Sequence, residues 1–101
     1  MDLELKDKVA LVAAASRGLG KAAALALARE GASLAICSRT QEILAAQSDI
    51  EAQTGCPVLG VIADLTQPSD IERLVQETLA RFGRIDILIL NAGGPPPERR
   101  V

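Results

Sequence analysis

Short apolar runs alternate with helix-periodic stretches along almost the whole chain. Lys8 to Ala14, led by Val9, Leu11 and Val12, has no polar alternation after its first residue and reads as a strand buried on both faces. Ser16-Arg17-Gly18-Leu19-Gly20 interrupts it, and an alanine-rich segment from Leu19 to Glu30 follows, with high helix propensity and Gly31 placed to end it. Ser33 to Cys37 is a second short strand. Ser38 or Thr40 is expected to cap a second helix, which runs to about Gln53 and is closed by Gly55. Pro57 bars its continuation, and Val58 to Ala63 is a third strand. Pro68 suits the first turn of a third helix, where Ile71, Leu74, Val75, Leu79 and Phe82 fall on one face before Gly83. Asp86 to Leu90 is a fourth strand, and Asn91 to Val101 reads as loop.

This is a β-α-β-α-β-α-β series without an internal linker. Short buried strands separated by helices imply parallel pairing through right-handed crossovers. The expected strand order is 3-2-1-4, part of a doubly wound, Rossmann-type α/β sheet. Residues 1–94 form one half-domain in this reading, and residues 95–101 a loop or a truncation tail.

Composition narrows the reading. Almost half of the 101 residues are apolar, nearly all aliphatic, with one Phe and no Trp or Tyr. A net charge of −2 gives no basic field, so nucleic acid is not an expected partner. The longest apolar run, Val9 to Ala15, is far shorter than the roughly 20 residues that span a bilayer, and no membrane partner is expected. The start of the chain is acidic and unlike a signal peptide. Cys37 and Cys56 are far apart, no His is present, and no metal site is expected; a cytoplasmic setting with reduced thiols fits best.

In a sheet wound this way, ligands enter a crevice at the carboxyl ends of strands 1 and 4. Two unusual stretches fall there: the glycine turn after strand 1, and Asn91-Ala92-Gly93 after strand 4. Gly18 and Gly20 let backbone approach a pyrophosphate, and the helix that starts there offers N–H groups to its charge. By itself the turn could equally be a plain strand-to-helix connection. Ala13-Ala14-Ala15-Ser16-Arg17-Gly18-Leu19-Gly20, however, resembles the TGxxxGxG turn of the short-chain dehydrogenase/reductases, and the resemblance extends over most of the chain. Asp64-Leu65 is similar to that family's adenine-holding acid after strand 3, Asn91-Ala92-Gly93 to its NNAG motif, and Arg81-Phe82-Gly83-Arg84-Ile85-Asp86 to its usual helix-3 ending.

The chain departs from the pattern at Ala13 and Ala14, which replace the Thr and the first Gly, and at Leu90, which replaces the first Asn of NNAG. A methyl group at Ala14 is expected to crowd the turn, and an absent Thr hydroxyl removes one of its ties. NAD enzymes place an acid after strand 2 to bind the ribose 2′-OH, whereas NADP enzymes place cations there. Ser38 stands in the acid's position and Arg39 follows, with Arg17 just before Gly18, so two guanidiniums could clamp a 2′-phosphate from two sides, with hydroxyls from Ser38 and Thr40. NADP is the expected cofactor and NAD the lesser alternative. The plainer reading makes Arg39 a solvated residue, Ser38 and Gln41 a capping box, Asp64 a turn acid, and Asn91 a strand tie. The full set expected to bind cofactor is Ser16, Arg17, Gly18, Leu19, Gly20, Ser38, Arg39, Asp64, Leu65, Asn91, Ala92 and Gly93.

The resemblance implies hydride transfer between a carbonyl and an alcohol, similar to that of 3-oxoacyl-acyl-carrier-protein reductases, with a Tyr proton donor, a Lys that lowers its pKa and a Ser that polarises the carbonyl. In the family these follow strand 4, and this chain contains no Tyr. It is therefore expected to have no catalytic residues and to be inactive alone. The reading is the cofactor-binding portion of an NADP-dependent short-chain oxidoreductase. The alternatives are a non-catalytic nucleotide-binding or interaction module, or a non-functional relic. Glu98-Arg99-Arg100-Val101 reads as an abrupt stop, and strand 4 is expected to present a bare edge that favours self-association.

Overall fold

The computed structural model describes residues 5–15 and 18–90. The elements are β1 (Val9–Ala13), α1 (Gly18–Arg29), β2 (Ser33–Ser38), α2 (Glu42–Thr54), β3 (Val58–Ile62), α3 (Pro68–Phe82) and β4 (Ile87–Ile89). The four strands form one parallel sheet in the order β3-β2-β1-β4, as expected from the alternation of elements. Val12 lies beside Ile36 of β2 on one side and Ile89 of β4 on the other. The strands therefore end together, and their following loops share one edge of the sheet.

Strand alternation divides the core in two. Ala10, Val12, Leu34, Ile36 and Val58 point to one face, where Ala24 and Ala28 of α1 and Ile43, Ala46 and Ile50 of α2 cover them. Small side chains on α1 let it lie close to the sheet. Leu11, Ala13, Ala35, Cys37 and Val61 point to the opposite face, covered by Leu74 of α3. Gly60 lies under α2: a Cβ there would sit 2.8 Å from the Gln47 Oε1 and 3.2 Å from the Ile43 carbonyl oxygen.

Several boundaries differ from the sequence reading. β1 stops at Ala13 because Ala14 turns into the left-handed region, with φ of 56°. Neither Ser38 nor Thr40 caps α2, and the Ser38–Gln41 capping box does not form. Gln41 holds the N-cap position without a side-chain bond, while the Ser38 hydroxyl donates to the Thr40 carbonyl. Gly55 and Gly83 do end their helices, each in the left-handed conformation and donating to a carbonyl four residues back. The α3 stripe is only partly covered. Leu74 and Thr78 are buried, but Ile71 and Leu79 remain exposed.

The two sheet edges are treated differently. On β3 the Glu51 carboxylate and the Gln47 amide oxygen accept from the Val58 and Gly60 N–H groups, and Arg73 donates to the Ile62 carbonyl at 2.7 Å. These side chains occupy groups that another strand could otherwise use. β4 is the opposite edge, with Leu88 and Leu90 exposed. Beside it runs an apolar cavity of 370 Å³ whose lining includes Leu65, Ile71, Val75, Ile85, Leu88 and Leu90. Among the described residues no helix is long and apolar enough to cross a membrane.

Candidate dinucleotide site

The carboxyl edge of the sheet gathers Gly18, Leu19 and Gly20 after β1, Ser38 and Arg39 at the end of β2, and Asp64 and Leu65 after β3. Ser16, Arg17, Asn91, Ala92 and Gly93 lie outside the described residues. Three of the loops expected to line the crevice are thus brought to one edge by the parallel register alone.

The β1–α1 turn has a specific geometry. An ideal Cβ on Gly20 would lie 2.2 Å from the Ala14 carbonyl oxygen and 2.9 Å from its carbon, so only glycine fits there. Gly18 has φ of 66°, and a Cβ there would meet nothing within 4 Å. One glycine is required by close packing, the other by backbone conformation beside open space. α1 carries no acid in its first turn, and Leu19 beside Gly18 is 85% exposed. The first N–H groups of a helix have no intrahelical acceptor, so this end suits an anion. The open space at Gly18 is the cradle that a bound pyrophosphate needs, and these residues fit such a group.

The turn after β1 is tied to β2, where the Ala15 N–H donates to the Cys37 carbonyl at 3.1 Å. Burial pushes the Cys37 thiol above its ordinary pKa, partly offset by the nearby Ala14 backbone N–H, so the thiol is uncharged at neutral pH.

At the β2 end, the Ser38 hydroxyl is engaged by its bond to Thr40, and the Thr40 hydroxyl points to Glu42 Oε1 at 3.5 Å. The hydroxyls assigned to a phosphate clamp are therefore turned toward neighbouring chain, and Glu42 adds an acid to the same turn. Arg39 is exposed and lies near enough to Asp64 to stabilise its charged form.

Asp64 Oδ1 accepts from both the N–H and the hydroxyl of Thr66, at 2.9 and 2.7 Å. These bonds, with a smaller contribution from Arg39, hold its carboxyl below the ordinary aspartate range. The Asp64 N–H donates to Asp70 at the start of α3. Asp64 thus does act as a turn acid, in a loop whose shape Thr66 and Asp70 set. Leu65 is half-buried against the face that Leu74 covers. Cys37, Thr66 and Asp70 are the supporting residues that sequence reasoning missed. A polar residue two positions after Asp64 was a usable signal for Thr66; nothing local distinguished Cys37 from an ordinary strand cysteine.

A family model described as "short chain dehydrogenase" matches residues 8–100. A hydroxynaphthalene reductase-like protein Arp2 from Metarhizium anisopliae is 44% identical over 90 residues, covering 88% of this chain and 34% of that protein. Hydroxynaphthalene reductase arp2 from Aspergillus fumigatus is 44% identical over 93 residues, again covering 34% of its length. Among solved structures, L-sorbose reductase from Gluconobacter frateurii, complexed with NADPH and L-sorbose, is similar with a TM-score of 0.91 and 32% identity. The match covers 98% of this chain and 38% of that one. An alcohol dehydrogenase from Thermococcus sibiricus complexed with 5-hydroxy-NADP has a TM-score of 0.76 and 33% identity, covering 80% of this chain and 35% of the other. The chain spans about a third of the length of the curated relatives it matches.

Proposed function

The chain belongs to the short-chain dehydrogenase family, and on that premise we propose that it is the dinucleotide-binding portion of an NADP-dependent oxidoreductase acting on a carbonyl or alcohol. The observation that carries this reading is the β1–α1 turn, in which Gly20 packs against the Ala14 carbonyl and Gly18 leaves open space at the start of α1.

In this reading the pyrophosphate lies against the α1 N-terminus, received by backbone N–H groups with no side chain at Gly18 or Gly20 to obstruct it. Ser16, Arg17 and Leu19 complete that turn, Asp64 and Leu65 bound the adenine side, and Asn91, Ala92 and Gly93 line the adenosine from the β4 side. Arg39 receives the 2′-phosphate, and the absence of an acid at Ser38 removes the usual partner of a free 2′-OH. The solved relatives bound to NADPH and 5-hydroxy-NADP support NADP over NAD. When bound, the nicotinamide supplies the hydride-carrying ring, whereas this chain contributes binding and orientation. The chain contains no Tyr, so a phenolic proton donor of the family's kind has to come from elsewhere.

The free Cys37 and Cys56 fit a cytoplasmic setting. The β4 edge and its apolar cavity also support self-association of the isolated chain. Titration with NADPH and NADH tests the cofactor reading. The chain should bind NADPH more tightly, and Arg39→Asp should reverse the order. Equal affinities, or a preference that Arg39→Asp leaves untouched, would remove Arg39 from the site.

A further inference from the structure

β3 is an edge strand, so its backbone groups that point away from β2 have no neighbouring strand to receive them. Alternate residues carry those groups, and side chains from the helices take them in turn. Glu51 and Gln47 of α2 accept from the Val58 and Gly60 N–H groups. The next two positions in the series, Ile62 and Asp64, are taken by α3. Arg73 donates to the Ile62 carbonyl at 2.7 Å, and Asp70 Oδ2 accepts from the Asp64 N–H at 2.8 Å. Between them, the Ala63 N–H donates to the Ser38 carbonyl of β2 at 2.9 Å. Arg73 Nη2 also lies 3.6 Å from Asp70 Oδ1, which joins the two α3 side chains into one bracket around the exit of β3.

Asp70 does not cap its own helix. It is the third residue of α3, where an acid's usual hydrogen bond runs back to the N–H of the N-cap residue. That N–H, on Gln67, donates instead to the Asp64 carbonyl at 2.9 Å, and Asp70 reaches past it to the Asp64 N–H. Both backbone groups of Asp64 are thereby fixed. Its Oδ1 takes the N–H and the hydroxyl of Thr66, which leaves Oδ2 as the carboxylate oxygen open to a donor on a ligand.

We propose that Asp70 is a positioning residue for dinucleotide binding: with Arg73 it holds the exit of β3 so that the Asp64 carboxylate meets the 6-amino group of the adenine. This rests on the proposed cofactor reading, which puts the adenine beside Asp64 and Leu65. Asp70 acts through the Asp64 N–H and touches no ligand itself. Without its carboxylate that N–H loses its acceptor, and Gln67 alone ties the backbone of Asp64 to the start of α3.

The test compares NADPH with its analogue in which hypoxanthine replaces adenine, which has no 6-amino donor to lose. Both are titrated against the full 101-residue chain and its Asp70→Ala and Asp70→Asn variants. A hydrogen bond to a charged group corresponds to about tenfold or more in an equilibrium constant. Asp70→Ala should therefore weaken NADPH binding about tenfold and binding of the analogue less than about threefold. Asp70→Asn keeps an acceptor oxygen but no charge, and should recover most of the loss. Equal losses for the two ligands, no loss for either, or an Asn variant as weak as the Ala variant would make Asp70 only a helix-end acid and overturn the proposal. If Asp70→Ala does not fold, Arg73→Met, which removes the exposed arm of the bracket, carries the same comparison: a loss selective for NADPH supports the proposal, and an equal loss or none overturns it. A parent chain that binds neither NADPH nor NADH would defeat the cofactor reading and this proposal with it. A parent that binds NADPH, with Asp70 variants that match it, would defeat this proposal alone.

Discussion

Gly20→Ala is the sharpest perturbation the structure offers. A Cβ at this position would lie 2.2 Å from the Ala14 carbonyl oxygen, 2.9 Å from its carbon and 3.1 Å from the Ala15 Cα. All three neighbours are backbone, so no side chain can rotate away. The oxygen must retreat by about 0.8 Å to reach even a 3.0 Å separation. That retreat pulls on Ala14, which is already left-handed and precedes Ala15, whose N–H is bonded to the Cys37 carbonyl. Overpacking of this kind costs about 1–3 kcal/mol, somewhat offset by the better helix propensity of alanine, about 1 kcal/mol. Net stability should therefore fall by up to about 2 kcal/mol, and NADPH binding should fall more steeply because the displaced atoms form the loop itself. Gly18→Ala is the internal control for stability: its Cβ meets nothing in the chain itself, so only the strain of its positive φ, about 1 kcal/mol, should register in the urea midpoint. Urea unfolding and NADPH titration of both variants measure the difference. Parent-like stability and affinity in Gly20→Ala would refute the close seating of Ala14 on Gly20.

The remaining predictions concern the edge, the crevice and acid stability. Asp86 accepts from the Val9 N–H and from Arg84, and these bonds hold its carboxyl below the ordinary aspartate range. Its contribution to stability should be complete above about pH 4 and disappear as pH falls through the depressed folded value. Asp86→Asn should flatten that part of the acid limb of urea midpoint against pH, and an unchanged limb would contradict the assignment. Leu88 is 57% exposed on β4, the edge strand of the sheet among the described residues. The parent chain should show a mass that rises with concentration in sedimentation, and Leu88→Glu should suppress the rise; a monodisperse parent monomer would end the self-association proposal. Gly18→Trp should abolish NADPH binding by filling the space at the α1 mouth, and retained affinity would place the ligand elsewhere.

Strand and helix order, the parallel sheet and its 3-2-1-4 arrangement were all legible in the chain, because each rests on a local property. Apolar runs too short for helices, an alanine-rich segment, Pro68 at a helix start and Gly55 and Gly83 at helix ends each act through neighbours in sequence. The crevice could be located for the same reason, since the ends of parallel strands must share an edge. The details of the site depended on contacts between residues distant in sequence. Gly20 needs its missing side chain because of Ala14, six positions earlier; the Ala15 N–H finds its acceptor on Cys37, in another strand; and the exposure of Ile71 and Leu79 on α3 is fixed only when the helix lies on the sheet. Ser38 and Thr40 illustrate the same division. Local pattern marked both as hydroxyls able to cap a helix or donate to a phosphate, and the folded turn bonds Ser38 to Thr40 and Thr40 to Glu42. Propensity and periodicity act through the next few residues and can be read along the chain, whereas hydrogen bonds and close packing across the sheet exist only once the strands have met.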